Sequence, residues 1–133
     1  MKQKIYLITG LMASGKSTVS DLLAKSIEKC VHLRGDVFRK MIISGRENMS
    51  ATPSAEAVRQ LYLRYKLTAD AARSYFDNGF SVVIQDNYYG DELNRMINYL
   101  HTRRTSASRT VISAATTRNA PMTVRRTLSA PTS

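Results

Sequence analysis

The chain has 133 residues, 43% apolar and 23% charged, with six Gly, three Pro and one Cys, which is the profile of one globular domain with one core. A single Cys excludes an internal disulfide, and Cys30, His32 and His101 are too few for a zinc site, so any bound metal is held by oxygen. The formal charge of +10 is unevenly spread: residues 1 to 101 hold 14 Lys/Arg and all 10 acids, whereas residues 102 to 133 hold six Arg and no acid.

Met1-Lys2-Gln3-Lys4 followed by the mostly apolar run Ile5 to Ala13 has the shape of a secretory leader. The same run ends in Gly15-Lys16-Ser17-Thr18 with a helical pattern behind it, so the expected compartment is the cytoplasm. No apolar run approaches the roughly 20 residues that span a bilayer, so no membrane span is expected.

Ile5-Tyr6-Leu7-Ile8 is apolar without alternation, as suits a strand buried on both faces of a parallel sheet, and Gly10 stops it. From Lys16 the residues Val19, Leu22, Leu23 and Ile27 recur at helical spacing. Val31-His32-Leu33 reads as a second strand ended by Gly35-Asp36, and residues 37–43 as a short helix. Thr52-Pro53 reads as an N-cap with Pro at the first helical position, opening a long helix marked by Val58, Leu61, Tyr62, Tyr65, Ala69, Ala72 and Phe76 and stopped by Gly79. Within it, most of Arg59, Arg64, Lys66 and Arg73 are assigned to the wet face, and Tyr62, Tyr65 and Phe76 to the core. Phe80-Ser81-Val82-Val83-Ile84 is a further apolar strand, and residues 91–100 form a helix. The order βαβααβα predicts a three-layer α/β/α arrangement around a mainly parallel sheet.

Residues 102–133 contain eight Thr, six Arg, five Ser and five Ala, with no aromatic, Gly, Lys or acid. Only Thr110-Val111-Ile112 reads as a strand there, so the expectation is a domain over residues 1–101 with a sheet incomplete at its C-terminal end, and a mostly unstructured basic tail over 102–133. A shifted reading frame would produce the same change of composition.

Gly10-Leu11-Met12-Ala13-Ser14-Gly15-Lys16-Ser17 matches G-x-x-x-x-G-K-[ST], placed between an apolar strand and an amphipathic helix. Gly10 and Gly15 let the backbone wrap a phosphate with its N–H groups turned inward, and the following helix adds free N–H groups and the positive end of its dipole. Lys16 supplies a charge for the β and γ phosphates, Ser17 a hydroxyl suited to Mg²⁺, and Thr18 continues the motif. Asp36 ends the second strand, at the carboxyl edge where parallel sheets bind ligands, and suits a proton acceptor; the alternative is an N-cap for the next helix. Asp86 ends the later strand and suits the Mg²⁺ shell, with a turn-forming Asp as the alternative. Arg34 and Arg39 flank Asp36 and suit phosphate or an acidic substrate, or simply solvent.

The stretch Lys4 to Thr18, His32-Leu33-Arg34-Gly35-Asp36-Val37-Phe38-Arg39-Lys40 and Gly79 to Asp86 resembles the P-loop kinases that include chloramphenicol phosphotransferase, zeta toxins and polynucleotide kinases. The resemblance covers residues 3–101 and implies ATP and Mg²⁺ as cosubstrates, a small hydroxylated acceptor, and the strand-end Asp36 as general base. It also implies further strands and lid arginines, which residues 102–133 do not display as a pattern. A nucleotide binder with little transfer activity, and a polynucleotide-directed enzyme that uses the basic tail, are the alternatives.

Overall fold

A computed structural model describes residues 3–10, 16–88, 91–102, 111–117 and 123–127, with side chains over 3–9, 18–88 and 91–101. The elements are β1 (Lys4–Gly10), α1 (Lys16–Ser26), β2 (Cys30–Arg34), α2 (Asp36–Lys40), α3 (Ala55–Asp77), β3 (Ser81–Gln85), α4 (Glu92–Thr102), β4 (Val111–Thr117) and β5 (Thr123–Thr127). They form one five-stranded sheet in the order β2-β3-β1-β4-β5. The β2/β3, β3/β1 and β1/β4 pairs are parallel and β4/β5 is antiparallel.

Successive side chains on a strand point to opposite faces, so one apolar run must be covered twice. Ile5, Leu7, Val82 and Ile84 face α3 and α4, packing with Leu61, Tyr65, Ala69, Ala72, Phe76, Met96 and Leu100. Ile8 and Val83 face the other way, against Leu23 and Ala24 of α1. This is the three-layer arrangement, with β1 at its centre and buried on both sides. Among the described residues no helix is long and apolar enough to cross a membrane.

The segment after residue 101 holds more strand than the expected Thr110-Val111-Ile112. It contributes β4, paired with β1 along its whole length from Lys4↔Val111 to Gly10↔Thr117, and β5 beyond it. Both strands are rich in β-branched Thr, Val and Ile, which favour extended backbone whether or not they are strongly apolar. A search for an apolar face therefore passes over them.

Two helix boundaries also move. The cap of α3 is Ser54, whose hydroxyl accepts from the Ala57 N–H at 3.0 Å, so Pro53 precedes the cap instead of opening the helix. The short helix spans Asp36–Lys40 only, and Ile43 lies beyond it, 90% exposed.

The far end of α3 closes as the sequence implies. The Phe80 N–H donates to the Tyr75 carbonyl and the Gly79 N–H to that of Phe76, with the Tyr75 and Phe80 rings edge to face at 6.0 Å. This is a Schellman closure, and Gly79 occupies its positive-φ position at +96°. Gly79→Ala is expected to lower stability by about 1–2 kcal/mol, read from the urea unfolding midpoint.

Candidate active site

Three parallel strands end along one edge of the sheet. Ile8 pairs with Gln85, and Arg34 pairs with the same Gln85. Past the last rungs the ends stay tied, because the Gly35 N–H donates to the Gln85 carbonyl at 3.0 Å and the Asp86 N–H to the Ile8 carbonyl at 3.2 Å. The Tyr88 N–H donates to Thr9 Oγ1 at 3.2 Å. The ladder thus brings Asp36 and Asp86 to the edge from which β1 leaves at Gly10.

Leu11, Met12, Ala13, Ser14 and Gly15 lie outside the described residues, as do the side chains of Lys16 and Ser17. Their flanks fit the motif: Gly10 is the last residue of β1, Lys16 and Ser17 are the first two of α1, and Thr18 is exposed on that helix.

Asp36 is the first residue of α2, whose N-cap, Gly35, is helical and makes no side-chain cap hydrogen bond. The Asp36 carboxylate instead faces three cations. Arg39 Nε lies 2.9 Å from Oδ1, Lys40 Nζ 3.2 Å from Oδ2 and Arg64 Nη1 3.7 Å from Oδ1. Partial burial pushes the carboxyl up, but the hydrogen bonds and charges of Arg39 and Lys40 outweigh this and hold it below its ordinary value. Arg39 also donates to Asn48 Oδ1 at 2.6 Å, linking α2 to the following connection. Arg34 is exposed at the end of β2.

Asp86 is 4% exposed and bound by a guanidinium fork. Arg64 Nε donates to Oδ2 at 3.1 Å and Nη2 to Oδ1, while the Asn87 N–H also donates to Oδ1. Burial pushes the Asp86 carboxyl above its ordinary value, with the Arg64 hydrogen bond and charge opposing it. Gly35 completes the enclosure, because a Cβ there would stand 1.9 Å from Asp86 Oδ2. The carboxylate fills the space that any other residue's side chain would need.

Arg64 was expected on the wet face of α3 and is instead inward, its side chain 10% exposed. Arg73 is likewise buried, stacked over the Phe76 ring at 4.9 Å and 3.7 Å from Asp77. Conversely Tyr62, expected in the core, is exposed, whereas Tyr65 and Phe76 are buried. The sequence did hold a signal for both arginines: Arg64 lies three residues after Leu61 and four before Thr68, and Arg73 four after Ala69 and three before Phe76, on the buried stripe.

Gln60, also unanticipated, pins the connection between α2 and α3. Its Nε2 donates to the Gly45 carbonyl at 2.9 Å and its Oε1 accepts from the Glu47 N–H at 2.9 Å. Arg39, Glu47, Gln60 and Arg64 line a small recess beside Asp36. On the other side of α3, Tyr65 donates to the Asn87 carbonyl at 2.7 Å and its ring centroid lies 5.1 Å from that of Tyr88. His32, at the rim of the sheet, pairs with Gln85 through Nε2 and Oε1 at 2.9 Å.

The family model described as AAA domain matches residues 5–130. The chain belongs to that family. The matched span runs through the basic segment and includes β4 and β5. None of the curated proteins compared with the chain matches it.

Solved structures share its fold. A chain of the Pnkp1/Rnl/Hen1 RNA repair complex superposes with TM-score 0.64 at 20% identity, covering 90% of this chain and 34% of that one. A sugar kinase from Janibacter sp. HTCC2649 gives 0.60 at 13% identity, covering 88% and 61%, and the APS kinase of Mycobacterium tuberculosis gives 0.62 at 20%, covering 89% and 77%. The chain therefore spans about a third of the first relative's length, and what it shares with all three is the P-loop kinase fold.

Arg64→Ala strands a buried carboxylate and is expected to cost about 3–5 kcal/mol, whereas Gly35→Ala, which pushes that carboxylate out of the fork, is expected to cost about 1–3 kcal/mol. Urea unfolding of the two variants checks both values.

Proposed function

We propose that this chain is an ATP-dependent phosphotransferase that moves the γ-phosphate of ATP to a hydroxyl of a small molecule. The observation that carries this reading is the convergence of Asp36, Asp86 and the mouth of the G-x-x-x-x-G-K-S segment on one carboxyl edge of a parallel sheet. The string His32 to Lys40, which resembles the P-loop kinases that include chloramphenicol phosphotransferase, zeta toxins and polynucleotide kinases, supports phosphoryl transfer to a hydroxyl.

In this reading the amides of Gly10, Leu11, Met12, Ala13, Ser14 and Gly15, with Lys16, hold the phosphates, and Ser17 and Thr18 continue the cradle into α1. The donor set fits Mg²⁺, which takes few protein ligands and keeps several waters: Ser17 offers a hydroxyl. Asp86, whose oxygens accept from Arg64 and the Asn87 N–H, would reach the ion only through a bound water. When bound, the ion would neutralise charge on the β and γ phosphate oxygens.

Asp36 holds the acceptor hydroxyl and takes its proton as the oxygen bonds to the γ-phosphorus and the bond to the β-phosphate oxygen breaks, releasing ADP. A carboxyl kept below its ordinary value is ionised at neutral pH and ready for that role. Arg39, bonded to Asp36, orients it and offers charge to the transferring phosphate or to an acidic group on the acceptor.

Thermal melting with and without Mg²⁺-ATP tests the nucleotide site. ATP at about 100 times its dissociation constant is expected to add roughly 2.7 kcal/mol to the wild type and nothing to Lys16→Ala; no effect on the wild type would reject the reading. Asp36→Asn is expected to cut turnover by about 10²–10⁴-fold while leaving the ATP-dependent stabilisation intact. Normal turnover in that variant would remove Asp36 from the chemistry.

A further inference from the structure

The carboxylate of Asp36 has no fixed reference on its own helix. Arg39 and Lys40, its two nearest cations, belong to the same five-residue α2, and their side chains are 28% and 64% exposed. Cations carried by that helix move with it, so they hold Asp36 relative to α2 and not relative to the sheet. Arg64 is different. It comes from α3, its side chain is 10% exposed, and Thr68 Oγ1 donates to its backbone carbonyl at 2.8 Å one turn on. Its fork is fixed to Asp86 at the end of β3, and the Asp86 carboxylate is backed by the Gly35 main chain immediately before Asp36. The remaining nitrogen, Nη1, reaches 3.7 Å from Asp36 Oδ1.

We propose that Arg64 is a positioning residue that ties Asp36 to Asp86, so that the proton acceptor is located from the sheet that carries the phosphate loop. The proposal deepens the phosphotransferase reading and rests on it for the role of Asp36. A planar guanidinium can bind one carboxylate with two nitrogens and present a third to another group, whereas an ammonium is a single point charge. Lysine at this position neutralises Asp86 but loses the reach to Asp36.

A double-mutant cycle between Arg64→Lys and Asp36→Asn tests this, read on two scales: hydrolysis of Mg²⁺-ATP with water as the acceptor, and the urea unfolding midpoint. Arg64→Lys is expected to lower kcat by about 10-fold to 10²-fold with the KM for ATP within about twofold, and Asp36→Asn is expected to cost less in that background than in the wild type. The unfolding midpoints are expected to be non-additive as well. A variant that shifts the midpoint but keeps wild-type kcat, or a cycle additive on both scales, would show Arg64 to be a structural counter-charge alone and overturn the proposal. If the wild type hydrolyses no ATP, the phosphotransferase reading is decided by the Mg²⁺-ATP melting shift instead. The midpoint cycle then decides the Arg64–Asp36 link by itself: non-additivity supports it, additivity overturns it. If Arg64→Lys does not fold, Arg64→Gln combined with Asp86→Asn removes both buried charges together and carries the same urea cycle against Asp36→Asn.

Discussion

The buried pair between Arg64 and Asp86 is the constraint on which the functional edge depends. It joins three things that the chain brings together from far apart: the end of β3, the middle of α3 and the turn at Gly35 that follows β2. Each makes a demand on the others. A carboxylate taken out of water needs a full counter-charge and hydrogen bonds on both oxygens, and the Arg64 fork with the Asn87 N–H supplies them. The carboxylate also needs room, and only glycine at position 35 leaves it. Asp36 follows that glycine, so the geometry of the pair fixes where the candidate base begins.

The hydrophobic layers serve the same end. Ile5, Leu7, Ile8, Val82, Val83 and Ile84 seal β1 and β3 between α1 on one face and α3 and α4 on the other. A strand held on both faces and paired on both edges has little freedom to shift, and β1 is such a strand, with β3 on one side and β4 on the other. The G-x-x-x-x-G-K-S segment leaves this strand at Gly10. The β1/β4 pairing makes β4 part of the frame around β1 even though β4 lies in the basic segment.

How much of this was legible depended on whether the signal was local. The strands at Ile5 to Ile8 and Val82 to Ile84, the helix behind Lys16 and the stop at Gly79 each announce themselves within a few residues, through apolar runs, 3.6-residue spacing or a glycine at a helix end. Asp36 and Asp86 were legible as acids at strand ends. Arg64 was not, because arginines on a helix usually face water, and its partner lies 22 residues further along the chain. Its position on the Leu61 and Thr68 stripe was visible, yet spacing alone does not say that an acid waits opposite. Of the strand pair at residues 111–127 only the start, Thr110-Val111-Ile112, was legible, for another reason. Threonine carries strand propensity without hydrophobicity, and it was read for the latter.

The connection between α2 and α3 has a different character from the edge it borders. Residues 41–54 form no helix or strand, most are exposed, and Gln60 and Arg39 tether them at Gly45, Glu47 and Asn48. The small recess between Arg39 and Arg64 is therefore walled on one side by α3 and on the other by a stretch whose backbone joins no ladder. That stretch makes no ladder contact with β1 or β3. The molecule thus separates two tasks in space. On the proposed reading, the part that would hold the phosphates starts from the sheet, while the part that would meet the acceptor is tethered through Gln60 and Arg39.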